Sequence, residues 1–221
     1  MCERYVLPNQ ADAEREFEPS QRWWKFAARY NVSFPQYVPA LRSHDRVAEG
    51  VMVRWGFVPA VAEGIPPADE QPDVTVELVG QTPDTRGPWL NSQRCILPAA
   101  GFYGWQLTER RYRQPHFLHL ADRPVFGIAA LWERSVTEDD DVIESCAIVT
   151  VPANPLVARL SGPRMPAILR RKDYSTWLNA TPVQAKAVLD AYPAEWMQAH
   201  PVSPRVNSLK NDDASLIRPV A

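Results

Sequence analysis

The second residue of the chain, Cys2, is the first candidate for chemistry. Cysteine is small enough to allow removal of Met1, which would leave a free α-amine beside the thiol. The amine has a reference pKa near ~8 and the thiol near ~8.5, so both are partly reactive at neutral pH. The thiolate could attack an amide with the amine as base. Alternatively, the amine could condense with an aldehyde while the thiol closes a thiazolidine ring. A cysteine at position 2 is also compatible with an unreactive chain terminus.

Other kinds of site have little support in the sequence. The three cysteines, Cys2, Cys95 and Cys146, form no close pair, and an odd, sparse count argues against a disulfide framework. The four histidines show no metal-ligand spacing with them. We therefore expect no metal and no small-molecule cofactor. Cys95 and Cys146 lie in apolar segments and are expected to be small buried residues.

The composition is that of an ordered globular protein of 221 residues, with 22 prolines spread along the chain. No repeat and no break in composition divides the chain, so one domain over residues 1–221 is expected. The net charge of −2 gives no global attraction for nucleic acid, so DNA binding would need a local basic groove. No apolar run approaches the ~20 residues of a membrane span, and the start lacks a signal-peptide pattern, which predicts a cytoplasmic protein.

The hydrophobic pattern predicts many consecutive strands with helices near the two ends. A helix is expected over residues 12–29, and two short helices over 173–179 and 182–191, the last capped by Thr181. Strands are expected over residues 51–58, 74–79, 94–98, 101–107, 116–120, 125–132 and 143–151. This order predicts an α+β fold, a single domain with a curved, mostly antiparallel sheet or barrel-like core and flanking helices.

Three segments between these elements are predicted to be loops. Residues 60–72 are rich in proline, alanine and acidic residues. Residues 108–115, with Arg110, Arg111 and Arg113, and residues 135–142 are expected to be hairpin tips. The three arginines could touch DNA phosphates, but a solvated hairpin tip is the preferred interpretation.

Several segments, in order along the chain, resemble the SRAP family (SOS response-associated peptidase). They are Met1-Cys2-x-Arg4-Tyr5, Arg29-Tyr30-Asn31-Val32, Arg54-Trp55-Gly56-Phe57-Val58-Pro59, Arg94-Cys95-Ile96-Leu97-Pro98-Ala99-x-Gly101-Phe102-Tyr103-x-Trp105, Ala130-Leu131-Trp132-Glu133, Arg164-Met165-Pro166-Ala167-Ile168-Leu169 and His200-Pro201-Val202-Ser203, continuing through Val206-Asn207 to Leu216-Ile217-Arg218-Pro219-Val220. No single motif is decisive, but the ordered set from residue 1 to residue 220 is specific.

The resemblance implies a compact curved β-structure with a positively charged groove. It also implies that mature Cys2 forms a thiazolidine with the ring-opened aldehyde of an abasic site in single-stranded DNA, which shields the lesion. The partner would be single-stranded DNA with abasic sites, and the protein would be a monomer that contacts no membrane. The residues that the resemblance implies for DNA binding are Arg4, Asn31, Trp105, Thr150, Arg164 and Asn207.

The sequence departs from the family pattern at the polar groups expected around Cys2. Asp73 and Thr75 stand where the family has an asparagine and a phosphate-binding arginine, while Glu77 is kept. Gly104 replaces the family's glutamate and Gly162 its histidine. General acid–base groups of this kind are typically worth ~10²–10⁴ in rate, so cross-linking is expected to be slower.

Several residues could compensate for these losses. Glu3, in place of the family's glycine, lies next to Cys2, and Asp73 and Glu77 are further acids, so Cys2, Glu77, Asp73 and Glu3 form the predicted catalytic set. His116 or His119 could also approach from a neighbouring strand. For each of these residues, a solvated surface group is the preferred interpretation.

Three functions stay open at this point. The first is a divergent SRAP protein that binds single-stranded DNA and cross-links abasic sites through Cys2. The second is a catalytically inactive module of the same fold that binds nucleic acid or protein. The third is a hydrolase that uses its amino-terminal nucleophile on an amide, as the word peptidase in the family name suggests.

Overall fold

The computed structural model describes residues 4–59, 71–109, 111–136 and 140–220. It confirms the predicted α+β class, with mostly antiparallel strands and few, short helices. The strands and helices, in chain order, are β1 (Arg4–Leu7), α1 (Gln10–Phe17), β2 (Gln21–Arg22), β3 (Arg29–Ser33), β4 (Gln36–His44), β5 (Val47–Trp55), β6 (Asp73–Thr75), α2 (Pro83–Leu90), β7 (Arg94–Ala99), β8 (Gly101–Leu107), β9 (Arg113–Leu120), β10 (Phe126–Val136), β11 (Val142–Pro152), α3 (Pro155–Leu160), β12 (Arg164–Pro166), β13 (Ile168–Leu169), α4 (Tyr174–Asn179), α5 (Pro182–Lys186) and β14 (Met197–Pro201).

Five strands close into a barrel. Strand β11 pairs with β10, β10 with β7, β7 with β4, and β4 with β5, all antiparallel. Strand β5 then returns to β11 in a parallel pair, in which Trp55 lies opposite Cys146. Closure removes the free edges of these strands and encloses the apolar core. The predicted barrel-like core is therefore confirmed.

A second sheet contains β1, the first strand of the chain. Its order is β14-β9-β8-β1-β3, and every pair in it is antiparallel. The short strand β1 lies between β3 and β8, with Tyr5 opposite both Val32 and Phe102. Strand β1 is therefore held from both sides, and the neighbouring strand β8 carries Gly104 and Trp105.

The first helix is shorter than predicted. A helix was expected over residues 12–29, but α1 covers Gln10–Phe17 and is capped by the Asn9 side chain. It ends at Glu18, which adopts the left-handed conformation with φ 46°. The next residue is Pro19, and a proline disfavours the helical conformation of the residue before it. The chain beyond it becomes extended and forms β2 and β3.

The other elements differ from the predictions mainly at their ends. The strand expected over 74–79 is reduced to β6, because a turn follows Thr75. The helix expected over 182–191 is limited to α5, although Thr181 does cap it through a capping box with Gln184. Strands β3, β4 and β14 and helices α2 and α3 were not predicted. Residues 60–70 of the predicted loop, Arg110, and residues 137–139 of the second hairpin tip lie outside the described residues.

The two inner cysteines belong to the barrel core. Cys95 and Cys146 are both fully buried and free. Burial raises the pKa of each thiol well above its usual range, so neither is a nucleophile at neutral pH. In the part of the chain that the structure describes, no helix is long and apolar enough to cross a membrane.

Candidate functional site

The described chain begins at Arg4, so Cys2 and Glu3 lie outside the described residues. The structure does describe β1, which begins at Arg4, and the strands on either side of it. The predicted site residues that the structure describes fall into two groups. One lies around Arg4 and the other around Arg164.

The first group joins the start of β1 to the carboxyl-terminal part of the chain. The guanidinium of Arg4 donates to the carbonyl oxygens of Val206 and Asn207, the latter at 3.2 Å, and lies 5.9 Å from the ring centroid of Trp105. The indole N–H of Trp105 donates to Asn207 Oδ1 at 2.8 Å. Three of the predicted DNA-binding residues, Arg4, Trp105 and Asn207, are therefore in mutual contact.

The fourth residue of this group, Asn31, is buried rather than exposed. Its side chain is 1% exposed, and its amide group donates to the carbonyl oxygens of Val206, Ser208 and Asn211 at 3.1, 3.0 and 2.9 Å. Asp212 accepts a hydrogen bond from the backbone N–H of Asn31 at 3.0 Å. These contacts support a positioning role, in which Asn31 fixes the segment that carries Asn207.

Replacing Asn31 with alanine is expected to loosen this segment. The carbonyl oxygens of Ser208 and Asn211 would lose the amide donor, and that of Val206 would keep only Arg4, which should lower the free energy of unfolding by about 1–2 kcal/mol. Urea unfolding measures the change. Asn179→Ala is the matched control, because Asn179 is exposed and its side chain accepts a hydrogen bond from Ser43. Equal stability of the two variants would contradict the positioning role.

The second group lies where β6 and β12 flank β11. Arg164 forms a two-bond pair with the Glu77 carboxylate, with Nη1–Oε1 at 3.3 Å and Nη2–Oε2 at 3.0 Å. Its Nε donates to Thr150 Oγ1 at 3.0 Å, and Nη2 also donates to the Thr150 carbonyl at 2.6 Å. The structure thus brings Glu77, Thr150 and Arg164 together. The hydrogen bonds to Glu77 and Thr150 hold the Arg164 guanidinium in one position on the barrel.

The partnership with Arg164 determines the state of Glu77. The hydrogen bond from Arg164 lowers the pKa of Glu77 below its ordinary value, assisted by backbone and Thr75 hydrogen bonds. The carboxylate is therefore ionised at neutral pH and already accepts two hydrogen bonds. Such a group is a weak base, because its negative charge is stabilised by the cation beside it. The catalytic role predicted for Glu77 stays a prediction.

Asp73 and Thr75 occupy the strand next to Thr150. Strand β6 runs parallel to β11, with Asp73 opposite Ile148 and Thr75 opposite Thr150. Both residues are partly exposed. Arg164 donates to the Thr150 side chain, which places a cation beside these residues.

Gly104 and Gly162 each lie close in the chain to one of the two groups. Gly104 precedes Trp105 in β8, and Gly162 is two residues before Arg164. A Cβ built on Gly104 would lie 2.8 Å from Ser161 Cβ and 3.1 Å from the Leu160 carbonyl oxygen. The end of α3 therefore fills the space where a larger side chain would begin. Gly162 adopts φ +121°, a conformation that other residues rarely adopt.

The remaining predicted residues belong to neither of the two groups. Arg111 and Arg113 are exposed at the β8–β9 tip, as a solvated hairpin would have them. His119 lies on β9, with Nδ1 bonded to the Leu120 carbonyl oxygen. His116 lies on the same strand, directly opposite Gly104. Among the described residues, no cluster of histidine, cysteine and acidic side chains could hold a metal ion.

Sequence reasoning did not identify Ser161 or Asp212. Ser161 fills the space at Gly104, and Asp212 binds Arg29 and the backbone around Asn31. Both contacts join residues far apart in the chain. The only sequence signal for Ser161 is its position directly before the substituted Gly162.

Comparison with known proteins gives a consistent result. The model of the family described as "SOS response associated peptidase (SRAP)" matches residues 1–209. The abasic site processing protein YoaM of Bacillus subtilis (strain 168) is 30% identical over 226 residues, covering 98% of this chain and 97% of YoaM. The abasic site processing protein YoqW of the same strain is 29% identical over 235 residues, with 98% and 99% covered. A crystal structure of a protein from Bordetella bronchiseptica shares the fold, with a TM-score of 0.78, 24% identity, and 91% and 100% of the two chains covered.

Proposed function

Since the chain belongs to the SOS response associated peptidase (SRAP) family, we propose that it acts on abasic sites in single-stranded DNA and joins them covalently through Cys2. Its relatives YoaM and YoqW are named abasic site processing proteins, which supports a function related to abasic sites. The match over residues 1–209 also supports one SRAP-like domain.

One observation carries the proposal: Arg4, Trp105 and Asn207 are gathered at the start of β1. A cation next to an aromatic ring suits single-stranded nucleic acid, because the cation pairs with a phosphate and the ring stacks on an unpaired base. Cys2 is two peptide units from Arg4, so covalent connectivity alone keeps their Cα atoms within about 7.6 Å. The proposed nucleophile is therefore tethered at this cluster.

The proposed reaction is a condensation that needs no oxidant. The α-amine of mature Cys2 attacks the aldehyde carbon of the open abasic sugar, and a carbinolamine forms. Loss of one water gives an imine, the thiol sulfur then adds to the imine carbon, and the thiol proton goes to the nitrogen. The product is a thiazolidine, and the net change is loss of one water molecule. The test is a gel-stable adduct between the mature protein and an abasic oligonucleotide.

The glycines at 104 and 162 favour a second candidate, a binding module that has lost this chemistry. It requires nucleic-acid binding without an adduct. Hydrolysis of an amide by the amino-terminal nucleophile is a third possibility and needs the same free Cys2. Conversion of an amide substrate, lost on adding one residue before Cys2, would support it.

Arg164 is expected to contribute to DNA binding by charge. Replacing Arg164 with glutamine should weaken binding to a single-stranded oligonucleotide of any sequence and reduce the salt dependence by about one counterion. Fluorescence anisotropy at several salt concentrations measures both quantities. Because Glu77 now offsets this cation, Glu77→Gln should change affinity and salt slope in the opposite direction.

The matched control for Arg164 is Arg171→Gln. Arg171 is exposed and pairs with Glu18, away from the β6–β11–β12 region. It should leave the affinity and the salt slope unchanged. An equal loss of affinity in both variants would mean that binding responds to net charge alone. That result would contradict a specific contribution of Arg164.

A further inference from the structure

The carboxyl-terminal residues cross the second sheet from one edge to the other and back. The sheet order is β14-β9-β8-β1-β3, so β14 and β3 are its two edge strands. The chain leaves β14 at Pro201, and Asp212 reaches the backbone of β3. It returns beside the end of β14, where Pro219 forms an isolated bridge with Val202. We call residues 202–220 the carboxyl-terminal strap.

Apolar side chains hold the strap near its two ends. Its buried residues pack in one cluster with residues of β1, β8 and β9, and the members are Val6, Tyr103, Phe117, Val202, Val206 and Leu216. None of residues 207–215, all of which the structure describes, is buried. The middle of the strap is therefore held by polar contacts.

Asp212 supplies such contacts at the point where the strap turns back. Its Oδ1 accepts hydrogen bonds from the backbone N–H groups of Tyr30 and Asn31, the latter at 3.0 Å. Its Oδ2 accepts from Arg29 Nε at 2.9 Å. Hydrogen bonds to an ionised acceptor are about twice as strong as neutral ones. One carboxylate thus ties the strap to two backbone donors and one side chain of the edge strand.

The same part of the strap carries the groups that fix Arg4 and Trp105. Arg4 donates to the carbonyl oxygens of Val206 and Asn207, and the Trp105 indole donates to Asn207 Oδ1 at 2.8 Å. Asn207 is exposed and lies five positions before the carboxylate that ties the strap to β3. Its place therefore depends on how the middle of the strap is held.

From these contacts we propose that Asp212 is a positioning residue of the DNA-binding site, a role that rests on the proposed function. By tying the strap to β3, its carboxylate holds Asn207 against Trp105 and the strap carbonyl groups against Arg4. The aromatic ring and the cation are thereby ordered before single-stranded DNA binds. Less conformational entropy is then lost on binding, which raises the affinity.

The negative charge of Asp212 separates this role from a general electrostatic effect. A carboxylate near DNA repels the phosphates, so its removal should tighten binding if charge alone acts. Positioning predicts the opposite sign. Asp213 is the matched control, because it is also exposed and bonds to Arg205 and Ser215 within the strap.

The test is fluorescence anisotropy with a single-stranded oligonucleotide that carries a tetrahydrofuran analogue of the abasic site. The analogue has no aldehyde, so binding is measured without reaction at Cys2. Asp212→Ala should weaken binding by about fivefold. Asp213→Ala removes the same charge and should leave the affinity unchanged or slightly raised. In a Trp105→Ala background the effect of Asp212→Ala should shrink, because a group that Asp212 positions is already gone.

The outcomes distinguish the role of Asp212 from the proposed function. Equal affinities of Asp212→Ala and Asp213→Ala, or an Asp212→Ala effect that is the same without Trp105, would overturn the positioning role alone. A wild-type protein that does not bind the oligonucleotide at low salt would overturn the proposed function, and the role of Asp212 with it. If Asp212→Ala folds poorly, Asp212→Asn decides, because it keeps the shape and one acceptor oxygen. An affinity of Asp212→Asn at or above that of wild type contradicts positioning.

Discussion

Replacing Cys2 with serine is expected to abolish the gel-stable adduct with an abasic oligonucleotide. Serine keeps the α-amine, so an imine can still form, but a hydroxyl is a far weaker nucleophile than a thiolate and does not trap the imine as a stable ring. The imine hydrolyses during denaturation. Denaturing gel electrophoresis of wild type and Cys2→Ser, after equal incubation, measures the difference.

Two controls make this result specific. Cys146→Ala removes a buried thiol whose pKa is raised well above its ordinary value, so it should leave the adduct unchanged. Intact mass shows whether Met1 has been removed, which the thiazolidine requires. A stable adduct from Cys2→Ser, or from protein that retains Met1, would contradict the proposed chemistry.

Replacing Gly104 with glutamate is expected to destabilise the protein. The new Cβ would lie 2.8 Å from Ser161 Cβ and 3.1 Å from the Leu160 carbonyl oxygen, inside normal contact distances. Gly104 is buried, so the new carboxylate would also lose contact with water. Overpacking typically costs about 1–3 kcal/mol, and the burial of a charged group adds to it. We expect a loss of about 3 kcal/mol in the free energy of unfolding.

Urea unfolding of two further variants tests the cause. Gly87→Glu makes the same substitution in helix α2, where a Cβ meets nothing within 4 Å, and should be neutral or slightly stabilising. In the Gly104→Glu background, Ser161→Gly should recover part of the lost stability, because it removes the contacting atom. A stable Gly104→Glu protein that forms adduct faster than wild type would show that the pocket is still open.

The contact at Gly104 adjoins a second glycine whose backbone is constrained. Ser161 is followed by Gly162 at φ +121°, which a residue with a side chain adopts only with strain. A side chain at position 104 would therefore meet Ser161 and Leu160, and a side chain at position 162 would meet a backbone constraint.

Part of the fold was predictable because strand patterns and turn residues are local signals. The alternating or apolar runs at 94–98, 101–107 and 143–151 correspond to β7, β8 and β11. The prediction of a helix over 12–29 was wrong beyond Phe17. The apolar pattern continues past Pro19, but the proline ends the helix. Barrel closure between β5 and β11 was not predictable, since it pairs residues about ninety positions apart, such as Arg54 and Ser145.

The sequence by itself determined the family and the α+β class, because both follow from residue types in order along the chain. The tertiary structure alone decided how those residues are used. It paired Arg164 with Glu77, turned Asn31 toward three distant carbonyl groups, filled the space at Gly104 with Ser161 and set His116 opposite it. Each of these contacts depends on strand register and on the path of the chain between strands, and no local pattern of side chains specifies either.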